Sequence, residues 1–124
     1  MGSQKTWKNK CDRLYSQIIR SKGHCEFCGA KPPNVQLQTS HIFSRRYSWT
    51  RTDLQNAVAA CASCHLKWHH EPTEQGPKAI AIIGEDEYDR IRERRLRREK
   101  FDWESEHQRL SEIWKEIQEN PDHT

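Results

Sequence analysis

Two Cys-x-x-Cys pairs, Cys25/Cys28 and Cys61/Cys64, bracket the middle of the chain. In each pair two thiolates can converge on one ion, and two pairs complete a tetrahedral four-sulfur shell of the kind that holds structural Zn2+. The competing reading, two unrelated pairs of reduced thiols, does not account for the matched spacing. The 32 residues between Cys28 and Cys61 include His41 and Asn56. His65 follows Asn56 by nine positions, and His69 follows His65 by four. Positions i and i+4 share one face of a helix, so His65 and His69 can offer two imidazoles to one divalent ion. A His-x-x-x-His pair alone is often only a solvated helix face. Here it begins directly after Cys64, where a bound ion would fix the start of the helix.

The elements around these residues must hold them in place. Trp7, Cys11, Leu14, Tyr15 and Ile18 recur at helical spacing, which predicts an amphipathic helix over residues 5–22 with Gly23 as its cap. Cys11 lies on its apolar face and reads as a small core residue. The alternation of Val35, Leu37 and Thr39 with polar neighbours predicts a strand that delivers His41 at its end. Residues 43–53 show no period and read as a loop. Residues 57–61 suit a returning strand, and the second cysteine pair then opens a short helix that ends near Pro72. Beyond it, Pro77–Ile83 reads as one or two helical turns closed by Gly84. A final helix over about 102–119 carries the stripe Trp103, Leu110, Trp114 and Ile117.

With 124 residues the chain suits a single domain: helix 5–22, a metal-braced core over 24–72 and a helical extension over 77–119. Only 33% of residues are hydrophobic and the mean hydropathy is -1.12, so the core is thin and a metal would contribute directly to folding. No leader and no apolar run of about 18 residues is visible, which points to an intracellular, cytoplasmic protein without a membrane span. In a reducing compartment the cysteine pairs favour metal over disulfides. The net charge of +3 says little, but seven of the eleven residues from Arg90 to Lys100 are basic.

From Cys25 to Pro72 these motifs resemble the HNH endonuclease family of the ββα-metal, or His-Me finger, group. The matching stretches are Leu37-Gln-Thr-Ser-His41, Asp53-Leu-Gln-Asn56 and Cys61-Ala-Ser-Cys-His65-Leu-Lys-Trp-His69, with Cys25-x-x-Cys28 before them. The resemblance implies an α+β fold with a small zinc-braced ββα core and flanking N- and C-terminal helices. It implies that His41 is the general base, that Asn56 holds the loop orienting it, and that His65 and His69 bind a catalytic ion. The flanks are similar to phage recombination nucleases of the Rap/NinG type, which implies branched or recombining DNA as substrate. Many family members have an acidic residue or histidine just before the base. Here Ser40 stands there, a weak further ligand at best.

Two imidazoles plus oxygen suit Mn2+, Co2+, Ni2+ or Zn2+ at least as well as Mg2+. The expected chemistry is DNA phosphodiester hydrolysis to 5′-phosphate and 3′-hydroxyl ends. Arg45, Arg46 and Arg51 in the loop, and Arg94, Arg95 and Arg98 further on, are candidate phosphate partners. For each, a solvated or ion-paired surface is the competing reading. Tyr47 and Trp49 read as residues that pin the loop. Two other functions use the same scaffold: a nucleic-acid-binding zinc module without catalysis, and a protein-interaction or inhibitor module. Retention of His41, Asn56, His65 and His69 at their spacings argues against a decayed site.

Overall fold

The computed structural model describes residues 3–120. Helix α1 (Gln4–Arg20) starts where the Ser3 hydroxyl accepts a hydrogen bond from the Thr6 amide, satisfying one of the amides left free at a helix start. It ends two residues before Lys22, because Ser21 caps it and its hydroxyl donates to the Ile18 carbonyl at 2.6 Å. Gly23, at φ 81°, then turns the chain out of the helix.

Strands β1 (Leu37–His41) and β2 (Ala57–Cys61) pair antiparallel, from Leu37 opposite Cys61 to His41 opposite Ala57. Every residue of β2 is buried, and both α1 and the following helix α3 (Ala62–His70) pack on the ribbon. Alanine at positions 57, 59 and 60 lets elements approach both faces of so narrow a sheet. The connection between the strands contains one helical turn, α2 (Ser48–Arg51), where the sequence reads as plain loop.

Pro72 ends α3 and also starts α4 (Pro72–Ile83), since its missing N–H costs nothing in the first turn. Helix α4 is therefore longer than the segment expected from Pro77, which lies inside it. Gly84 at φ 90° separates α4 from α5 (Glu85–Arg94), and α6 (Trp103–Glu119) begins at an Asp102 cap that accepts from the Glu104 and Ser105 amides.

The architecture is α+β: helices around one two-stranded sheet. The main core joins Leu14, Tyr15, Ile18 and Ile19 of α1 to Ala57 and Ala59 of β2 and to Trp103 and Leu110 of α6. Cys11 belongs to it; burial and the nearby Glu106 push its thiol up to about 12, and it donates to the Trp103 carbonyl at 3.3 Å. Glu106 is itself buried, bonded by the Thr52 hydroxyl and by Arg109 at 2.7 Å. That buried carboxylate fastens α6 to the turn before β2. No helix among the described residues is long and apolar enough to cross a membrane.

Candidate active site

The four cysteines come together. The first pair sits on a tight turn, closed by the Gly29 amide donating to the Cys25 carbonyl at 2.8 Å with Gly29 at φ 82°. The second straddles the start of α3, which Cys61 caps. Glu26 binds the turn to β2 through two 2.8 Å bonds: its amide to the Ala59 carbonyl, and its carboxylate from the Ala59 amide.

All four Sγ atoms lie within 4.8 Å of one another, and Cys28 and Cys61 are 3.8 Å apart. A tetrahedral ion with bonds of about 2.3 Å to sulfur needs sulfurs about 3.8 Å apart, so the donor set fits such an ion. Burial pushes the Cys25 thiol up, but the amides of Cys61, Cys28 and Phe27 outweigh it and bring it down to about 6. Burial and the neighbouring thiols push the Cys64 thiol up. Four thiolates cannot share this space without a cation. His24, beside the first pair, is not part of it and bonds the Lys22 carbonyl at 3.1 Å.

The imidazoles form a second group. His65 and His69 sit one turn apart on α3 with their Nε2 atoms 3.2 Å from each other. Ligands on a common ion at about 2.0–2.1 Å would be separated by about 3.0–3.4 Å, so this pair fits one metal. His70 lies one position further round α3 and is exposed. Burial, and secondarily His69, push the His65 imidazole below its ordinary value.

Ser40 takes a different place from the further ligand expected of it. Its hydroxyl lies 2.5 Å from His65 Nδ1, on the ring edge away from Nε2. From there it can orient the imidazole. Ser40 is completely buried.

His41, at the end of β1, has Nε2 2.9 Å from the Arg51 carbonyl. A carbonyl only accepts, so this nitrogen carries the proton, and in the neutral ring Nδ1 is the free base. Burial pushes His41 below its ordinary value despite that bond. One open cleft is lined by His41, His65 and His69, with Arg45, Asp12 and Tyr15 around them.

Asn56 holds the loop that supplies the Arg51 carbonyl. Its Oδ1 accepts from the Phe43 amide at 2.8 Å, and its Nδ2 donates to the carbonyls of Thr50 at 2.8 Å and Phe43 at 3.2 Å. The side chain is fully buried and both ends of the amide are used. Replacing it with alanine strands a buried amide and two carbonyls. Asn56→Ala is expected to cost about 2–4 kcal/mol, read from urea unfolding. A loss below about 0.5 kcal/mol would contradict this role.

Residues 25–71 match the family model described as HNH endonuclease. This segment is an HNH domain. No curated protein and no solved structure matches the chain.

The arginines around the HNH domain divide sharply. Arg45 is exposed and lines the cleft, with only a loose 3.7 Å pairing to Asp12. Arg51 is committed inside the fold: it grips Asp12 through two bonds of 2.9 and 2.6 Å and donates to the Arg45 carbonyl, with its side chain 13% exposed. It positions the loop, correcting its assignment to phosphate. Arg94 is likewise engaged, donating to the Trp49 carbonyl at 2.8 Å. Arg46 bonds the Tyr47 hydroxyl, and Arg95 lies over the rings of Phe43 and Tyr47. Arg98 is exposed.

Trp49 pins the loop as expected, donating to the Glu99 carbonyl at 2.7 Å and meeting Phe101 edge-on. Three residues support the site through contacts that sequence spacing does not reveal. Asp12 anchors Arg51, and Tyr15 packs 5.4 Å from the His41 ring while donating to the Asp53 carbonyl. The Asp53 carboxylate in turn receives both arms of Arg90 at 2.8 and 2.9 Å.

Proposed function

We propose that this HNH protein is a metal-dependent endonuclease hydrolysing DNA phosphodiester bonds, with structural zinc on Cys25, Cys28, Cys61 and Cys64. One observation carries the reading. Three imidazoles share a cleft, one with a lone pair left free on Nδ1 and two with Nε2 atoms spaced for a common ion.

Hydrolysis of a phosphodiester needs an activated water, relief of charge on phosphorus and stabilisation of the leaving oxygen. His41 Nδ1 takes the proton from the attacking water, while the Nε2–H bond to the Arg51 carbonyl fixes the ring and steadies the positive charge it acquires. Asn56 and Arg51 keep that carbonyl in place as positioning residues. His65 and His69 would hold a divalent ion, with Ser40 fixing the His65 ring. Such an ion, when bound, polarises the phosphate and stabilises the departing 3′ oxygen. Arg45 lines the cleft, which supports a role in pairing with a neighbouring phosphate. The products carry 5′ phosphates and 3′ hydroxyls. The likeness of the flanks to phage recombination nucleases directs the choice of substrate towards branched DNA beside plasmid.

Two measurements test this arrangement. Ser40→Ala should raise the metal concentration needed for half-maximal cleavage by about tenfold or more, as loss of a ligand's orienting partner does elsewhere. An unchanged metal requirement would remove Ser40 from the account. The pH profile gives the second test. Burial lowers the His41 pKa, so the base stays neutral to below about 6.5, and the acid limb of kcat/KM should inflect below that value. The unfolded chain binds this proton more readily than the folded one, so His41 costs stability as pH falls below about 6.5. An acid limb centred above 7 would place the essential base elsewhere.

A further inference from the structure

The basic stretch from Arg90 to Lys100 separates into two groups. On α5 Arg90 and Arg94 are committed to the fold, on Asp53 and the Trp49 carbonyl, and Arg92 forms an exposed pair with Asp89 one turn back. Beyond the helix, Arg97, Arg98 and Lys100 are exposed on the connection to α6. Glu99, the acidic residue among them, is paired with Arg97 at 3.5 Å.

This connection forms one wall of a groove, and the loop carrying Arg46 and Tyr47 forms the other. The groove is lined with aromatic rings. Trp49 meets Phe101 edge-on at 5.0 Å, Phe101 meets Trp103 at a tilt at 4.5 Å, and Arg97 lies 3.8 Å over the Trp49 ring. Gln4 and Trp103 also wall a neighbouring depression that carries Lys5 and Lys8 of α1. At the other end, Arg46 and Tyr47 line the groove while the preceding Ser44 and Arg45 line the catalytic cleft. Groove and cleft thus lie on two sides of one loop. Leu96 stands in the groove wall, 61% exposed between Arg95 and Arg97.

We infer that this groove is a track for single-stranded nucleic acid continuing from the catalytic cleft. A basic rim with aromatic and apolar side chains between the charges is the combination that holds unpaired strands, phosphates on the cations and base faces on the apolar groups. Leu96 favours strand over duplex. Insertion of an aliphatic side chain into a duplex costs about a few kcal/mol of unstacking per step, whereas an unpaired base offers it a flat apolar face without that cost. In a duplex those faces are already stacked. The direction of the strand rests on the proposed nuclease function, but its binding does not require cleavage.

The test uses the full chain carrying His41→Ala, so that the probe stays intact, and fluorescence anisotropy at about physiological salt. One probe is a blunt DNA duplex; the other is that duplex with a ten-nucleotide single-stranded tail. The tail should improve affinity by about tenfold. Leu96→Ser with Lys100→Ala should remove most of that gain while changing the blunt-duplex affinity less than about twofold. Both positions are exposed, and thermal melting checks that the fold is kept. Equal affinity for the two probes, or a variant that weakens both alike, overturns the track. Cleavage is scored separately with otherwise wild-type protein: strong tail binding without cutting in any metal would sink the nuclease reading and leave the track standing.

Discussion

Cys28→Ser is expected to unfold the protein and release one zinc ion per chain. Cys28 is exposed. At an exposed position away from any special feature, so small a substitution changes stability by less than about 0.5 kcal/mol. The same change at a zinc ligand opens the sulfur shell, and the binding energy that such sites supply to folding is on the order of 10 kcal/mol. The two accounts of Cys28 therefore differ far beyond experimental error. The local core gives little independent support: Cys25, Leu37, Ala60 and Cys61 are its buried members, flanked by Phe27, Ala30, Val35 and Cys64. Loss of zinc by elemental analysis together with loss of the cooperative thermal transition is the expected pair of results. A Cys28→Ser protein that melts as the parent does and keeps its metal content would remove the structural zinc from the account.

The parts of this molecule legible in its sequence are those set by local period. Three-residue spacing brings each cysteine pair to one point, four-residue spacing puts His65 and His69 on one face of α3, and the stripes on α1 and α6 mark the surfaces that meet in the core. Other features lie outside that reach. Asp12 and Arg51 are 39 positions apart, and Arg90 and Asp53 are 37 apart. No local pattern links such partners, so Arg51 and Arg94 look in sequence like free phosphate-binding groups until the fold supplies their acceptors.

Ser40 shows a subtler limit. Its position beside His41 suggests a neighbour of the base, but alternation along β1 separates the two side chains and leaves the hydroxyl on His65. Pro72 misleads for another reason, because a proline that ends one helix is equally suited to begin the next.

The other large effect is expected at His41. His41→Ala should slow single-turnover cleavage by about 10²- to 10⁴-fold, the usual contribution of a positioned general base. Its effect on DNA affinity should be slight, because a base acts on the transition state and contributes little to ground-state binding. Folding and zinc content should also hold, since His41 is only partly buried and stands apart from the cysteine cluster. His65→Ala and His69→Ala should differ in kind. Each removes one of two imidazole donors, so activity falls and the metal concentration that restores it rises. A His41→Ala protein that responds to added metal in the same way would move His41 from base to ligand.

The most direct test of the central claim is cleavage by the wild-type chain. The protein is incubated with supercoiled plasmid and with a branched DNA in Mg2+, Mn2+, Co2+, Ni2+ and Zn2+, with and without chelator, and zinc content is measured alongside. The account predicts nicked or linear DNA with 5′-phosphate ends in at least one of these metals, and intact DNA once the metal is removed or His41 replaced. Intact DNA in every metal, with wild type and His41→Ala binding DNA equally tightly, would contradict it and identify a binding module on the same scaffold.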